Sequence, residues 1–407
     1  MTDHKTIIDP VFGFIKIPRG LILNVVKHPL MQRLTRIKQL GLAAVVYPGA
    51  QHTRFQHSLG AFHLMSEAIT SLRQKGIFIF DSEAEAIQAA ILMHDIGHGP
   101  FSHVLEHTLI SGISHEDISL MMMERINQDM NGELNLALKI FKNDYSKHFL
   151  HQLISSQLDM DRLDYLRRDS FITGVTEGNI GSARIIKMLN VVDDQLVVEH
   201  KGIYSLENYL MTRRVMYWQV YLHKTVVACE KVLVNTLLRV KQLVREGQDI
   251  FAPPALKYFL LHDVDADWFY SHEEALQNYA QLDDTDIWSA LKVWAQSNDT
   301  ILAMLAKDIL NRQLFKVEIR EEEPSGDEIE TLQTTLAEKA GIEKKDAHYL
   351  MSVNLIQKDM YDITDDHIDI LYKDGTIKDI AEASEILNVA LLSKKICKYY
   401  LTYQRFS

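Results

Sequence analysis

The stretch Met93-His94-Asp95-Ile96-Gly97-His98-Gly99-Pro100-Phe101-Ser102-His103 decides the fold. It closes a segment in which Ser82-Glu83-Ala84-Glu85 has the form of a capping box and apolar residues follow at helical spacing. Gly97 and Gly99-Pro100 predict the end of that helix. An adjacent histidine and aspartate project about 100° apart on a helix, so both can reach one ion at its end. The stretch therefore predicts a helix whose end carries metal-binding side chains.

Histidines cluster around this stretch. Eight of the eighteen lie between His52 and His115, and histidine is the commonest metal ligand. A lone His-Asp pair is more often a surface pair, but further candidates lie on other predicted helices, as ligands in helix-bundle cores do. Imidazole with carboxylate suits Mn, Fe, Zn or Ni and leaves positions open for water and phosphate oxygens. The candidate metal ligands are His57, His94, Asp95 and Asp161.

Helical patterns fill most of the first three hundred residues. Thr53-Arg54-Phe55-Gln56 has the form of a capping box. Apolar residues recur behind it at helical spacing, namely Phe55, Leu59, Phe62, Met65, Ile69 and Leu72. Further helices are predicted over Gln152–Arg168, Leu206–Gln242 and Asp286–Asn311.

The pattern changes after about Gln313. Residues 314–319 alternate like a strand, Gly326–Ala340 predicts a surface helix, and His348–Ile356 predicts another strand. Asp366–Ile380 predicts a hairpin that turns at Lys373-Asp374-Gly375. We therefore expect a mainly α protein, with a helical domain over residues 1–312 and a smaller C-terminal α+β domain over residues 313–407.

The composition limits the class of protein. A chain of 407 residues is long enough for two domains, and 47% hydrophobic with 24% charged residues is ordinary for a globular protein. Only two cysteines occur, Cys229 and Cys397, so a disulfide framework is excluded and a cytoplasmic location is expected. No run approaches about 20 apolar residues, so no signal peptide or membrane span is predicted. A net charge of −12 argues against general nucleic-acid binding.

Two further histidine positions suit proton transfer. His98 lies four residues after His94, on the same face if the helix continues, where its ring could reach a leaving group or the attacking water. His115-Glu116 places an imidazole beside a carboxylate, which suits general acid–base catalysis. The structural alternatives are a helix cap for His98 and a surface loop for His115. His52, His63 and His107 are interpreted as structural histidines.

Four motifs in this order resemble the HD-domain deoxynucleoside triphosphate triphosphohydrolases, a group that includes bacterial dGTPase-type enzymes and the mammalian SAM-and-HD-domain protein. The motifs are Arg54-Phe55-Gln56-His57-Ser58-Leu59-Gly60, the stretch Met93–His103, Ser114-His115-Glu116-Asp117, and Asp159-Met160-Asp161-Arg162-Leu163-Asp164-Tyr165. The resemblance runs from Asp9-Pro10-Val11 to at least Lys224, with a further match at Arg312–Lys316.

The resemblance implies an HD-domain helical core, and it gives the metal to the same four ligands. It assigns His98 and the His115–Glu116 pair the acid and base roles around in-line attack of water on the α-phosphorus of a dNTP. Deoxynucleoside and triphosphate would be the products. It also implies a homo-oligomer, a dimer or a tetramer, and it allows Mg²⁺ on the substrate phosphates and a nucleotide activator.

Contacts to the dNTP follow from the same resemblance. A polyphosphate needs several cations, and Arg162 stands where the family has a phosphate-binding lysine. Gln39-Leu40 matches a pair that holds the sugar 3′-hydroxyl and crowds out a 2′-hydroxyl, which favours deoxyribose. The expected substrate contacts are Arg54, Gln39, Leu40, His103, Arg162, Tyr165, Asp169, Arg213 and Tyr221.

The match is weaker where the family binds its activator and its base. Gln32 and Arg33 fit the activator segment of the mammalian enzyme, but Lys27 and Thr35 depart from it. Leu222 replaces a glutamine beside the substrate tyrosine, which leaves the base preference open.

Two other functions remain open. The same metal site could serve a phosphohydrolase acting on nucleoside monophosphates, cyclic nucleotides or alarmones. From a different class, the chain could be a non-catalytic nucleotide sensor or a binder of single-stranded nucleic acid. The retained His98, His115 and Glu116 argue against a sensor, and the net charge argues against a nucleic-acid platform.

Overall fold

Helices dominate the architecture, as predicted. The computed structural model of the protein describes residues 3–106, 108–358, 367–384 and 396–406, without the side chains of His103, Glu106, Lys358 and Ile396. His107 therefore lies outside the described residues, as does the side chain of His103. Within the described part of the chain, no helix combines the length and the apolar character needed to cross a membrane.

The secondary structure begins with a hairpin and continues mainly as helices. In chain order, the first elements are β1 (His4–Asp9), β2 (Gly13–Pro18), α1 (Leu21–Lys27), α2 (Pro29–Arg33), α3 (Arg54–Gln74), α4 (Asp81–Met93), α5 (Ser102–Glu106), β3 (Ile110–Ser111), α6 (His115–Asp129), α7 (Asn135–Phe141), α8 (His148–Gln152), α9 (Met160–Thr173), α10 (Ser182–Met188), β4 (Leu189–Val192) and β5 (Gln195–Glu199). The later elements are α11 (Ile203–Met216), α12 (Lys224–Arg245), α13 (Pro254–Leu261), β6 (Val264–Asp265), α14 (Ala266–Ser271), α15 (Glu273–Gln281), α16 (Asp284–Trp294), α17 (Thr300–Leu310), β7 (Lys316–Arg320), α18 (Gly326–Ala340), β8 (Met351–Lys358), β9 (Asp369–Leu371), β10 (Ile377–Asp379), α19 (Ile380–Ala383) and β11 (Ile396–Tyr403).

Helix α3 forms the centre of the core and packs against α4 and α9. Its predicted capping box is present, because the backbone N–H of Thr53 donates to Gln56 Oε1 at 2.9 Å. The apolar residues predicted behind the box are buried from Leu59 to Leu72, and each such side chain contributes about 1.5–3 kcal/mol by leaving water. Gly60 lets α9 approach closely, since a Cβ there would lie 1.9 Å from Asp164 Oδ1.

The boundaries of α4 differ from the prediction. The helix begins at Asp81, and Glu83 rather than Glu85 is the residue that bonds back, accepting from the backbone N–H of Phe80 at 2.8 Å. The helix ends at Met93, and hydrogen bonds of the i to i−3 type follow, so His94 and His98 do not share a helix face. The condition for a shared face, a helix that continues to His98, is therefore not met, and the helix ends four residues before the predicted Gly97.

The long helices predicted from periodicity are interrupted. Residues 152–168 contain the end of α8 and most of α9, and α11 and α12 are separated by a π-helical turn at Tyr217–Tyr221. His223 caps α12 by accepting from the backbone N–H of Thr225, and Asp299 caps α17 by accepting from that of Leu302. Polar capping side chains inside apolar periodicity therefore restart the helices.

The C-terminal region is α+β, as predicted. Strands β7, β11 and β8 form an antiparallel sheet, and α18 covers the predicted residues. The part of the predicted hairpin that the structure describes pairs β9 with β10, and Gly375 at its turn has a φ of +87°. However, β9 also pairs in parallel with β5, so strands from both sides of the predicted boundary at residue 312 share one sheet. The division into two domains stays a prediction.

Candidate active site

Three helices bring the predicted metal ligands together. His57 lies in the first turn of α3, His94 directly follows α4, and Asp161 lies in the first turn of α9. The Nε2 atoms of the two histidines are 3.3 Å apart, and Asp161 Oδ1 lies 3.0 Å from that of His57 and 3.3 Å from that of His94. These three residues form a cluster that could hold a metal ion. Asp95 approaches the same point, with Oδ1 3.5 Å from His94 Nε2.

The tautomers of both histidines suit a cation. His57 Nδ1–H donates to Asp164 Oδ2 at 2.7 Å, and His94 Nδ1–H donates to the carbonyl of Ile91 at 2.6 Å. Because a carbonyl and a carboxylate can only accept, the hydrogen of each neutral ring lies on Nδ1. The two Nε2 lone pairs then point at each other and at Asp161. Such an arrangement fits a divalent metal ion between them.

The carboxylates of the cluster stabilise positive charge on or between its histidines. Burial lowers the pKa of His57, but hydrogen bonds to Asp161 and Asp164 overcome this effect and raise it to about 10. Burial likewise opposes the charge on His94, yet Asp95 and Asp161 raise its pKa above the ordinary value. Although burial favours the neutral acid, His94 and His57 hold the pKa of Asp161 below its usual range. A proton or a metal ion can supply the positive charge that these groups stabilise.

The turn after α4 is held by side chains from distant segments. Ser119 Oγ donates to the carbonyl of His94 and accepts from Gly97 N–H. Arg33 is buried and donates to the carbonyls of Ile96 and His98. Arg33 therefore supports the turn, and its match to an activator segment stays a prediction. A Cβ on Gly97 would lie 2.2 Å from the carbonyl oxygen of His115, so this glycine allows α6 to pack on the turn.

That packing brings the predicted acid and base residues together. The rings of His98 and His115 stack with centroids 3.9 Å apart and planes inclined by 19°. His98 Nε2 lies 3.3 Å from Asp95 Oδ1, and Glu116 Oε1 lies 3.2 Å from His115 Nε2. Burial and then Arg54 lower the pKa of His98 to about 3, so His98 is neutral at physiological pH.

A buried charge network supports His57 from behind. Asp164 accepts from His57 and also from Arg168, whose Nε and Nη2 donate to its two oxygens at 2.9 Å. Arg168 donates in turn to Asp9 at 2.7 Å, in the strand β1. These three charged residues are almost fully buried. The sequence analysis did not assign them roles, although Asp164 lies inside a quoted motif and its spacing of three from Asp161 is a usable signal.

A cavity of about 710 Å³ opens beside the cluster. Its lining includes the residues predicted for catalysis, namely His98, His115 and Glu116, together with Asp95 and Asp161. It also includes Gln39, Leu40, Arg54, Arg162, Tyr165, Asp169 and Tyr221 from the predicted substrate contacts. Arg213 is not among the lining residues, and its buried Nε and Nη1 atoms have no hydrogen-bond partner among the residues that the structure describes. Leu222, Val226 and Glu230 also line the cavity.

The predicted cations are partly engaged by the protein itself. Arg54 Nη1 donates to Asp95 Oδ2 at 2.7 Å, while its buried Nε has no partner in the part of the chain that the structure describes. Arg162 Nε donates to the carbonyl of Ser156 at 2.7 Å. Asp169 is nearly inaccessible and accepts from Tyr221 and His52. The contact between His52 and Asp169 was not predicted, because the spacing of His52 from the motifs carries no periodic signal.

Two histidines and two aspartates that converge from three helices beside a polar cavity define the HD class of phosphohydrolase centre. The HD-domain model matches residues 54–169, and that of the HD associated region matches residues 180–248. The chain belongs to the HD superfamily, and it is similar to the deoxynucleoside triphosphate triphosphohydrolases within that superfamily.

Relatives match different portions of the chain. It is 31% identical over 419 residues to the uncharacterized protein YwfO of Bacillus subtilis, and the match covers 100% of this chain and 93% of that protein. It is 29% identical over 279 residues to the deoxynucleoside triphosphate triphosphohydrolase SAMHD1 of Homo sapiens, over 58% of this chain and 44% of the human protein. A crystal structure of a phosphohydrolase from Bacteroides thetaiotaomicron has 64% identity and a TM-score of 0.97, and covers 99% of this chain and 100% of that one.

Proposed function

We propose that the protein hydrolyses dNTPs to deoxynucleoside and triphosphate. The observation that carries the proposal is one cavity whose lining combines two predicted metal ligands, Asp95 and Asp161, with two arginines and the Gln39-Leu40 pair. A triphosphate requires several cations, and Arg54 and Arg162 lie in this lining together with the predicted sugar contacts. The similarity to the human triphosphohydrolase supports the same substrate class. The proposed metal is Mn, Fe, Zn or Ni, with Mg²⁺ on the substrate phosphates.

The residues divide the chemistry among them. A metal ion bound by His57, His94, Asp95 and Asp161 would supply Lewis-acid polarisation at the α-phosphate. In the step itself, the water oxygen bonds to the α-phosphorus while the bond from that phosphorus to the 5′-oxygen breaks. The water loses a proton and the 5′-oxygen gains one. His98 is neutral and can orient the water, and His115 with Glu116 is placed to exchange the proton.

Product analysis tests this proposal. Purified protein would be incubated with each dNTP and rNTP and Mn²⁺, singly and in mixtures, and the products identified by mass spectrometry. We expect deoxynucleoside and intact triphosphate as products. Asp95→Ala and His115→Ala should lose this activity. His148→Ala should retain it, because His148 lies outside the cavity lining and its ring bonds to Asn143 at an exposed position. Release of phosphate or pyrophosphate, or turnover only of monophosphates or cyclic nucleotides, would replace the proposal. Tight binding without turnover would indicate a sensor.

A nucleotide activator is proposed as a second partner. The described residues that line a separate cavity of about 270 Å³ include three cations, Lys224, Arg312 and Arg405, and no acidic residue. Such a charge distribution suits a polyphosphate. An activator would be supported if activity requires a mixture of dNTPs and if Arg312→Ala lowers that activity only at low nucleotide concentration. Rates with single dNTPs equal to the rate with the mixture would exclude an activator.

A homo-oligomer, a dimer or a tetramer, is also proposed. Helices α11 and α12 expose the apolar residues Tyr204, Met211 and Leu238, with between 38% and 61% of each residue accessible. Exposed apolar side chains of this size are typical of contact surfaces when they lie close together. Light scattering coupled to size-exclusion chromatography would measure the mass, and a monomer at micromolar concentration would contradict the proposal.

A further inference from the structure

His52 connects two segments that line the same cavity. It lies just before α3, where its carbonyl accepts from the backbone N–H of Gln39 at 3.0 Å. The neighbouring backbone strengthens this connection, because Lys38 and Thr53 form an antiparallel bridge. The backbone of His52 therefore holds Gln39, and Gln39 and Leu40 both line the cavity.

The side chain of His52 faces Asp169. Its Nε2 lies 2.7 Å from Asp169 Oδ1, and both side chains are about 1% exposed. Because an ionised carboxylate can only accept, Nε2 carries the hydrogen. Tyr221 O–H donates to the other oxygen, Oδ2, at 2.9 Å. The carboxylate is thus held by one donor on each oxygen.

This arrangement leaves acceptor capacity on Asp169. Each carboxylate oxygen has two lone pairs, so one remains on each after the bonds from His52 and Tyr221. Asp169 also lines the cavity. A ligand hydroxyl is the simplest donor for such a position. The buried Oε1 of Gln39, which has no partner among the described residues, is a second acceptor in the same lining.

We propose that His52 is a positioning residue for the sugar of the nucleotide: it aims Asp169 through its ring and Gln39 through its carbonyl at one sugar hydroxyl. The inference rests on the proposed function, because it takes a deoxynucleotide as the ligand. It assigns His52 a specific role, whereas the sequence analysis interpreted it as a structural histidine. His52 does not contact the reacting phosphorus, so its removal should change recognition of the 3′-hydroxyl and leave the chemical step intact.

Equilibrium binding separates this role from catalysis. The ligands would be a dNTP analogue with CH₂ in place of the 5′-oxygen, which lacks the bond broken in the proposed step, and its 3′-deoxy counterpart, titrated by calorimetry into wild-type protein with Mn²⁺. For His52→Leu we expect the affinity for the first ligand to fall about tenfold or more, since Asp169 loses the donor that aims it at the 3′-hydroxyl and its charged hydrogen bond to the ligand is lost. The affinity for the 3′-deoxy ligand should change less than about threefold. His52→Gln, which can place a donor near Asp169, should recover part of the preference.

Two controls complete the test. In a double-mutant cycle, adding His52→Leu to Asp169→Asn should cause no further loss of affinity, because both substitutions act on the same interaction. His63→Leu removes a half-buried histidine of α3 that faces Glu67 and Phe12, and it should leave the preference unchanged.

The outcomes distinguish the inference from the proposed function. Equal losses for both ligands in His52→Leu would overturn the positioning role, as would an unchanged preference or no 3′-hydroxyl preference in the wild type. A wild type that binds with this preference but releases no triphosphate from dNTPs would contradict the proposed function while leaving the role of His52 standing.

Discussion

Replacing Asp164 by asparagine tests whether the support behind His57 sets the affinity of the metal centre. Asp164 is fully buried and accepts three hydrogen bonds, one from His57 and two from Arg168. Arg168 donates to both oxygens of Asp164. The NH₂ group of the introduced asparagine must therefore face an N–H group of Arg168, and two donors cannot bond to each other. If the amide turns its NH₂ toward His57, the ring hydrogen shifts to Nε2 and the ligand lone pair is lost.

The magnitude follows from two separate contributions. Loss of a residue that supports a metal ligand weakens metal binding by about 10–100-fold, or about 1.4–2.7 kcal/mol. Removing one partner of a buried ion pair costs about 3–5 kcal/mol of stability. Arg168 keeps its bond to Asp9 at 2.7 Å, so the lower end of that range is expected. A domain is stable by about 5–15 kcal/mol, so the variant should remain folded.

Calorimetric titration of metal-free protein with Mn²⁺ measures the affinity, and urea unfolding measures the stability. Asp299→Asn is the matched control, because Asp299 forms a half-buried pair with Arg239 at 2.6 Å outside the cluster. It should lose stability but bind Mn²⁺ normally. Wild-type affinity in a folded Asp164→Asn variant would refute the reasoning, and equal losses of affinity in both variants would show a general effect of destabilisation.

Three further predictions concern the core, a buried acid and the metal. Gly60→Ala should lose about 1–3 kcal/mol in urea unfolding, because its Cβ would lie 1.9 Å from Asp164 Oδ1; Gly326→Ala, with nothing within 4 Å, should be neutral. Burial raises the pKa of Asp308 to about 6, so the folded state holds this proton more tightly than the unfolded state and stability falls as the pH rises from about 4 to about 6. Asp308→Asn should therefore gain about 1.5 kcal/mol over wild type between pH 5 and pH 7.5, and a constant difference would contradict this. A chelator should lower the melting temperature of the wild type but not of Asp161→Ala, since only the wild type is stabilised by bound metal; equal shifts would place the metal elsewhere.

The sequence predicted the proposed metal ligands better than the residues that position them. His57, His94, Asp95 and Asp161 were nominated from ligand chemistry, and the structure groups His57, His94 and Asp161, with Asp95 beside them. Arg33 and Ser119, which hold the turn after α4, were not predicted as supports, because their partners are set by tertiary packing. A fully buried arginine has no local signature, since arginine is usually exposed.

Helix boundaries show the same limit at the level of the fold. Apolar periodicity located α3, α12 and α18, but it also continued across the breaks that polar side chains make between helices. His223 and Asp299 are N-caps, yet the helical spacing of apolar residues continues from one side of each cap to the other. A cap depends on one hydrogen bond, whereas periodicity averages over several turns, so the pattern alone could not place these ends.

Helix α9 carries residues of both the candidate metal cluster and the proposed sugar contacts. Asp161, Asp164 and Arg168 follow one another at spacings of three and four, and they face the metal cluster and its buried support. Arg162, Tyr165 and Asp169 repeat the same spacing one residue later, about 100° around the helix, and line the cavity. One residue inserted after Leu166 would leave Asp161 and Asp164 in place but rotate Arg168 and Asp169 by about 100°. The support of His57 and the contact with His52 would then be lost together, so the two functions of this helix cannot vary independently.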